Sequence, residues 1–303
     1  MANTEFTFHP LNESHLLGLV KLFRTVFGKK RTTEYFKLKY LSGNVLDGSF
    51  SFVAMKGQKI VGFVGAIPQV YHGEDATYII AHSCEYQTHP DFQRQGIHKQ
   101  LIARSNNLLK KNGVHLIYGY LSDVSEASIN SSGWEYLRYL HYSVVRTGGF
   151  PIQKVKYKIT GQSKWGKFQE GLQPGKFEAD SKGVIMELIN HDLLKYRSFT
   201  DNGIFKFGAC TFWVKLSEVL HIGKFSCQHF ASFETGLNLL IAHCKKHGID
   251  KIVFQVDPAS KEFEFLTEYG TDVLPGSRIG ICFLAERFDV SQFRFSYSNF
   301  DDF

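Results

Sequence analysis

The sequence has no apolar run long enough to cross a membrane, and residues 1–10 lack the basic start and apolar centre of a secretory signal. A helix that spans a bilayer needs about 20 mostly apolar residues. We therefore expect a cytoplasmic protein without a membrane partner.

Cysteine is scarce, and its five positions form no CxxC pair: Cys84, Cys210, Cys227, Cys244 and Cys282. Structural zinc sites take closely spaced pairs of such ligands. An odd number of scattered cysteines is typical of reduced thiols in a cytoplasmic protein. The pattern predicts free core cysteines and no metal site.

The sequence also has no dense block of lysine and arginine, although its formal net charge is +6. The surplus favours anionic ligands such as a phosphate-bearing coenzyme. Between Lys154 and Lys176 the basic residues alternate with Gly, Tyr, Phe and Trp. We interpret 151–180 as a solvated basic linker or hairpin and expect no nucleic-acid partner.

With 303 residues, 43% of them hydrophobic and 21% charged, the chain is typical of a soluble globular protein with two domains. Apolar periodicity predicts antiparallel strands followed by a βαβαβ pattern, which is an α/β fold with a mixed sheet. We expect domains at 1–150 and 181–303, joined by the linker. The predicted elements include helices over 11–26, 33–41, 96–112 and 233–247, and strands over 78–88, 116–121, 205–214 and 251–256.

The most informative segment is Gln93-Arg94-Gln95-Gly96-Ile97-His98, which joins a predicted strand to a predicted helix. A helix that starts directly after a tight turn directs several backbone N–H groups and its positive dipole end at one place. Such a place suits a phosphate or pyrophosphate. Gly96 would let the ligand approach the backbone, and Arg94 and Lys99 add positive charge.

This segment resembles the coenzyme-binding signature of the GNAT superfamily of acyl-CoA-dependent acetyltransferases, Gln/Arg-x-x-Gly-x-Gly/Ala. Gln93 and Gly96 match it, and His98 departs from it. The resemblance covers 60–145 and includes the strand end Thr88-His89-Pro90 and a Gly-aromatic step at Gly133-Trp134. Residues 24–43 are similar to the N-terminal helices of two-domain members.

The resemblance implies that acetyl-CoA is the co-substrate. Backbone groups of the strand would pair with its pantetheine arm, and the turn and a later helix would hold the rest of the coenzyme. The residues implied are Tyr86, Gln87, Thr88, Gln93, Arg94, Gln95, Gly96, Ile97, His98, Lys99 and Asn130.

Acetyl transfer to an amine requires a base, which GNAT enzymes usually place on the strand before the turn. Strict alternation would put His82 on one face with Cys84, Tyr86 and Thr88, and Glu85 on the other face with Ser83 and Gln87. His82 is our first candidate, because imidazole titrates near neutral pH. Glu85 is second and needs a β-bulge to turn it towards the site. The alternative for His82 is a hydrogen-bonded histidine without a role.

The second half of the sequence is similar in pattern to the first. Leu194-Lys195-Tyr196 matches Leu38-Lys39-Tyr40, and strands and helices follow in the same order. The segment 226–232 has no Gln/Arg-x-x-Gly turn. We therefore expect a tandem arrangement in which the second, degenerate GNAT-like domain binds no coenzyme and walls the substrate cleft or forms an interface.

The resemblance to two-domain GNAT proteins implies an N-acetyltransferase that acts on a primary amine of a small molecule, such as an amino sugar or a nucleotide-linked amino sugar. Trp134, Tyr71 and Tyr118 would stack on such an acceptor or pack in the core. A homodimer is compatible with the sequence. The alternatives are an aminoacyl transferase of the peptidoglycan-decorating type and a non-catalytic acyl-CoA-binding module.

Overall fold

A computed structural model describes residues 5–42, 45–74, 76–121, 133–177, 183–189, 193–194 and 197–300. The chain forms two compact units that interleave along the sequence. The first unit comprises 1–136, 190–199 and 280–291, and the second comprises 137–189, 200–279 and 292–303. No helix among the described residues combines the length and apolarity needed to cross a bilayer.

The described residues of the first unit include the following helices and strands. They are β1 (Thr7–Pro10), α1 (Leu16–Phe27), α2 (Thr33–Leu41), β2 (Phe52–Lys56), β3 (Lys59–His72), β4 (Thr77–Thr88), α3 (Ile97–Lys111) and β5 (Leu116–Leu121). The strand order is β1-β2-β3-β4-β5. Neighbours pair antiparallel, except that β4 and β5 are parallel. The expected mixed sheet is confirmed.

Helix α3 packs on one face of this sheet, which we call the α3 face. Its buried residues Ile97, Leu101, Ser105 and Leu109 follow one another at a spacing of four, which places them on one side of the helix. Ile97 and Leu101 share a core cluster with residues of β2 and β3, and Leu109 shares another with Ala81 and Ile117. The helix is therefore fixed by burial directly after the turn that begins it.

The second unit repeats this mixture of strands and helices. Its elements are β6 (Glu135–Arg146), α4 (Ile152–Thr160), α5 (Trp165–Gln169), β7 (Gln173–Pro174), β8 (Met186–Glu187), β9 (Asn202–Phe207), β10 (Cys210–Leu216), β11 (Leu220–Ser226), α6 (Phe230–Lys246), β12 (Lys251–Val256), α7 (Lys261–Glu268) and β13 (Val273–Phe283). Glu135 and Tyr136 of β6 and residues 280–283 of β13 belong to the first unit. Within the second unit the order is β6-β12-β11-β10-β9-β7. Its core includes seven buried phenylalanines, and we call it the aromatic core.

Two predictions for the second half were wrong. The strand expected over 205–214 is a hairpin, β9 and β10, which turns at Gly208 with φ +60°. The segment 151–180, expected as a linker or hairpin, contains helices α4 and α5. Phe168 of α5 is fully buried in the aromatic core, so this segment is part of the folded unit.

The prediction that all five cysteines are free was also wrong. Cys210 and Cys227 form a disulfide, while Cys84, Cys244 and Cys282 are free and buried. Thr211 of β10 pairs with Ser226 of β11. Cys210 comes directly before Thr211 and Cys227 directly after Ser226, so this pairing brings their Cα atoms to 4.7 Å. A sequence separation of 17 residues conceals this proximity, because it arises from strand register.

Candidate functional site

The turn before α3 has an unusual backbone. A short 3-10 turn over Pro90–Phe92 follows β4, and the chain then reaches Gly96 at φ +74° and ψ 4°, where α3 begins. Arg94 also has a positive φ, 61°, and Glu85 is the other non-glycine residue with positive φ in the described part of the chain. This backbone costs an L residue about 1–2 kcal/mol, and such strain concentrates at functional sites.

The N-terminus of α3 is uncapped. Gly96 offers no side-chain cap, and the N–H groups of Ile97, His98 and Lys99 donate to no acceptor within the described residues. A Cβ atom built on Gly96 would meet nothing within 4 Å. Gln93, Arg94, Gln95 and Lys99 are exposed. The turn therefore presents free amides and basic side chains to open space, which is the arrangement that anions bind.

His98, the residue that departs from the signature, packs against Tyr86 of β4. Its ring lies edge-on to that of Tyr86, with centroids 5.0 Å apart. Burial lowers the pKa of His98, so the imidazole is neutral at pH 7. The histidine is thus part of the packing between α3 and β4.

Strands β4 and β5 separate beside this turn. Their parallel pairing covers three residue pairs and ends at His82 with Tyr118. β4 nevertheless continues to Thr88, paired with β3 on its other edge. The edge of β4 that faces β5 therefore has no strand partner over 83–88, among the described residues. An extended ligand could pair with this edge as an added strand would.

A β-bulge changes which side chains of β4 share a face. Phe63 pairs with Gln87 and Gly65 with Cys84, so two residues of β4, Glu85 and Tyr86, lie opposite one residue of β3. A bulge of this kind re-aims side chains. The bulge that Glu85 required is therefore present.

The bulge contradicts the strict alternation predicted for Tyr86. Its hydroxyl lies 2.6 Å from that of Ser83, and its ring packs with the cluster of Ile97 on the α3 face. Burial raises the pKa of Tyr86 to about 12. Cys84 and Glu85 instead both contact Tyr40 of α2, on the face opposite α3.

Glu85 is held by three donors from α2. Its carboxylate accepts hydrogen bonds from Lys39 Nζ at 2.6 Å and Tyr40 Oη at 2.8 Å, and a longer one from Tyr35 Oη at 3.4 Å. Lys39 is fully buried, and the Glu85 side chain is 12% exposed. A carboxylate engaged in this way is poorly placed to accept a proton from a substrate. We interpret Glu85 as a positioning residue that fixes the bulge.

His82 lies where the pairing of β4 with β5 ends, on the face opposite α3, since neighbouring Ala81 packs in an α3-face cluster. Its ring stacks on Tyr118 at 4.7 Å and meets Tyr120 edge-on at 5.5 Å. His82 is 2% exposed. The hydroxyl of Tyr118 donates to Gln69 at 2.7 Å. The histidine is thus orientated by aromatic rings at the base of the strand separation.

Gln87 has an unusual environment among the residues expected to contact coenzyme. It is 1% exposed, and neither its amide nitrogen nor its amide oxygen has a hydrogen-bond partner in the described residues. A buried amide without partners costs free energy. Thr88 ends β4. Asn130, expected on a later helix, lies outside the described residues.

Two aromatic residues considered for stacking are inaccessible. Tyr71 and Tyr118 are fully buried, so both belong to the core, whereas Trp134 is half-buried. Lys39 and Tyr35 were not predicted as partners of Glu85. The signal available was their spacing of four on α2, which places them on one side of a helix.

The corresponding position of the second unit is built differently. Helix α6 follows β11 as α3 follows β4, but its N-cap is His229, whose side chain accepts from Ser232 N–H. The parallel pairing of β11 with β12 covers three residue pairs. Further along β12, Ser296 of the same unit forms a bridge to Val256, and the Tyr297 ring packs on His221. In the second unit, residues of its own chain thus occupy part of the strand separation that the first unit leaves open.

Residues 7–137 match the family model of the acetyltransferase (GNAT) domain. No curated protein matches the sequence. Among solved structures, the chain is similar to a protein of unknown function from Enterococcus faecalis that is described as a probable N-acyltransferase. The two share 13% sequence identity with a TM-score of 0.62, and the match covers 91% of this chain and 72% of that one. GCN5-related N-acetyltransferases from Anabaena variabilis (13% identity, TM-score 0.60, 93% and 73% covered) and Kribbella flavida (8%, 0.58, 93% and 72%) are also similar. At these identities the structural likeness concerns the fold.

Proposed function

Since this chain belongs to the GNAT superfamily of acyltransferases, we propose that it transfers the acetyl group of acetyl-CoA to a primary amine of a small molecule, such as an amino sugar or a nucleotide-linked amino sugar. The observation that carries the proposal is the uncapped N-terminus of α3. Its free amides stand beside an open glycine with φ +74°. The pyrophosphate of acetyl-CoA would bind these amides, with Arg94 and Lys99 adding charge.

The pantetheine arm would extend from the turn along the free edge of β4. Backbone groups of Tyr86, Gln87 and Thr88 would pair with its amides, and the Gln87 side chain would gain the hydrogen bonds it lacks. This arrangement directs the thioester towards the end of the β4–β5 pairing. A backbone N–H of β4 would then stabilise the oxyanion.

His82 lies at this end and is the proposed base. The neutral amine attacks the thioester carbonyl, and the C–N bond forms as the carbonyl oxygen takes up the electron pair. Collapse of the tetrahedral intermediate breaks the C–S bond and releases the CoA thiolate. His82 accepts the proton lost by the amine, directly or through water, because its ring is held at the separation of the strands.

The second unit is proposed as a degenerate GNAT-like domain that binds no acetyl-CoA. Its equivalent helix is capped by His229, and its strand separation holds residues of its own chain. The cap engages one amide of the helix, and the bridging segment occupies part of the strand edge, so fewer of these groups are left for a coenzyme. One acetyl-CoA per chain is therefore the expected stoichiometry.

Acetyl-CoA at a hundred times its Kd is expected to raise the free energy of unfolding by about 2.7 kcal/mol, because it binds only the native state. Differential scanning fluorimetry measures the shift, and calorimetric titration counts the sites. Protection by free tRNA in place of acetyl-CoA would instead support aminoacyl transfer. Protection by acetyl-CoA without turnover of any amine in a broad panel would indicate a non-catalytic binding module.

His82→Gln is expected to lower kcat about 10²–10⁴-fold, the usual contribution of a general base. The acidic limb of the pH–rate profile should disappear with it, and thermal protection by acetyl-CoA should persist. His115→Gln is a matched control on the same unit and should leave the profile unchanged. An unaltered acidic limb in the His82 variant would remove this residue as the base.

A further inference from the structure

The second unit contains a cavity of about 520 Å³ that the proposed acetyl transfer does not use. The cavity is lined by the ends of β11 and β12, the start of α7, Phe177 and parts of the segments 184–189 and 294–299. All of them belong to that unit. The volume is in the range of small-molecule sites. Apolar side chains of Phe177, Val184 and Ile189 form part of its wall.

A β-bulge directs Lys224 to this cavity. Val214 pairs with Ile222 and Trp213 with Lys224, so Gly223 is an extra residue in β11. As a result Ile222 and Phe225 both pack in the aromatic core, although they are three residues apart. Lys224 is thereby turned out of that core, and it lines the cavity.

The ammonium of Lys224 has weak partners. Its Nζ lies 3.2 Å from the Sδ atom of Met186 and 5.6 Å from the centre of the Phe177 ring. No carboxylate within the described residues lies within ion-pair distance of it. A thioether is a poor acceptor, and an ammonium has three N–H groups to donate. Burial lowers the pKa of Lys224, against the charges of Glu262 and Glu187.

Three other charged groups of the cavity have partners of their own, whereas Lys261 is exposed and Glu262 is half-buried. Asp257 accepts from Arg138 at 3.2 and 3.3 Å, and Glu187 accepts from Asn299 at 2.9 Å. Arg294 donates to two backbone carbonyls. Lys224 is therefore a half-buried charge of this cavity, and the described protein groups leave most of its hydrogen bonds unmade.

We propose that the cavity binds a small organic monoanion, with its carboxylate on the ammonium of Lys224 and its apolar body against Phe177, Val184 and Ile189. One negative charge matches one ammonium. A dianion such as a phosphate monoester would meet repulsion from Glu187 and Glu262, which line the same cavity. The site is separate from the acetyl-CoA site, because all of its lining residues belong to the second unit.

The test compares ligands that share a ring and differ in the charge of their head group. Benzoate, benzyl alcohol and phenyl phosphate are titrated calorimetrically into the full chain, with hexanoate as an aliphatic carboxylate. At least one of the carboxylates should bind about tenfold or more tightly than the alcohol and the phosphate. Lys224→Met, which keeps the apolar stem, should weaken that carboxylate by about tenfold or more.

Lys261→Met is the matched control, since Lys261 lines the same cavity from the start of α7. It should leave carboxylate binding unchanged, and so should Gly96→Asp, which removes acetyl-CoA binding. The proposal would be overturned if neither carboxylate bound at about 10 mM, a concentration above the Kd of any useful site. Equal binding by a folded Lys224→Met protein, or by benzyl alcohol, would overturn it as well.

Discussion

Replacing Gly96 by aspartate is expected to abolish the thermal protection that acetyl-CoA gives, a loss of about 2.7 kcal/mol at a hundred times the wild-type Kd. The new carboxylate would occupy the open space where the pyrophosphate is proposed to bind. Two anions would then compete for the free amides of α3. Fluorimetry with and without acetyl-CoA measures the loss.

The variant should still fold, because a Cβ atom at this position meets no neighbour within 4 Å. The φ of +74° should cost about 1 kcal/mol in the absence of ligand. Gly57→Asp is the matched control, since Gly57 also has a positive φ, 59°, and open space around it. Protection that survives in Gly96→Asp, or that disappears equally in Gly57→Asp, would contradict a pyrophosphate site at this turn.

Replacing Lys39 by methionine is expected to lower the free energy of unfolding by about 3–5 kcal/mol, the usual cost of removing one member of a buried ion pair. Lys39 is fully buried, and its loss would leave the Glu85 carboxylate without its closest counter-charge. Because Glu85 occupies the bulge of β4, affinity for acetyl-CoA should fall too. Urea unfolding and calorimetric titration measure the two effects.

The double variant Lys39→Met with Glu85→Gln should recover most of the stability, because it leaves no uncompensated charge in the buried site. Lys37→Met is a control on the same helix. Lys37 pairs with Glu13 at 2.8 Å on the surface, and its loss should hardly change stability. If the Lys39 variant had the same free energy of unfolding as the Lys37 variant, the buried pair of Lys39 with Glu85 would not stabilise β4.

Sequence patterns predicted elements whose causes are local. Helix α2 begins and ends at the predicted residues, and Thr32 caps it by accepting from Tyr35 N–H. The turn at Gly96 was predicted for a similar reason, since a glycine with positive φ at a strand–helix junction is a local requirement. Strand β5, a short apolar run, also has the predicted bounds.

Features that depend on strand register were not predictable. The bulge at Glu85 exists because β3 and β4 differ by one residue over the same length, which neither strand reveals alone. The partner of Glu85 lies 46 residues earlier in the chain. His82 was placed correctly on β4, but its stacking on Tyr118 follows from the pairing with β5.

The interleaving of the two units has a consequence for biosynthesis. The first unit includes residues 280–291, so a ribosome must translate as far as codon 291 before that unit can be completed. Until then β5 lacks its later neighbour, the end of β13, and unpaired strand edges favour aggregation. A gene divided after codon 150 would likewise encode two fragments, neither of which contains a whole unit.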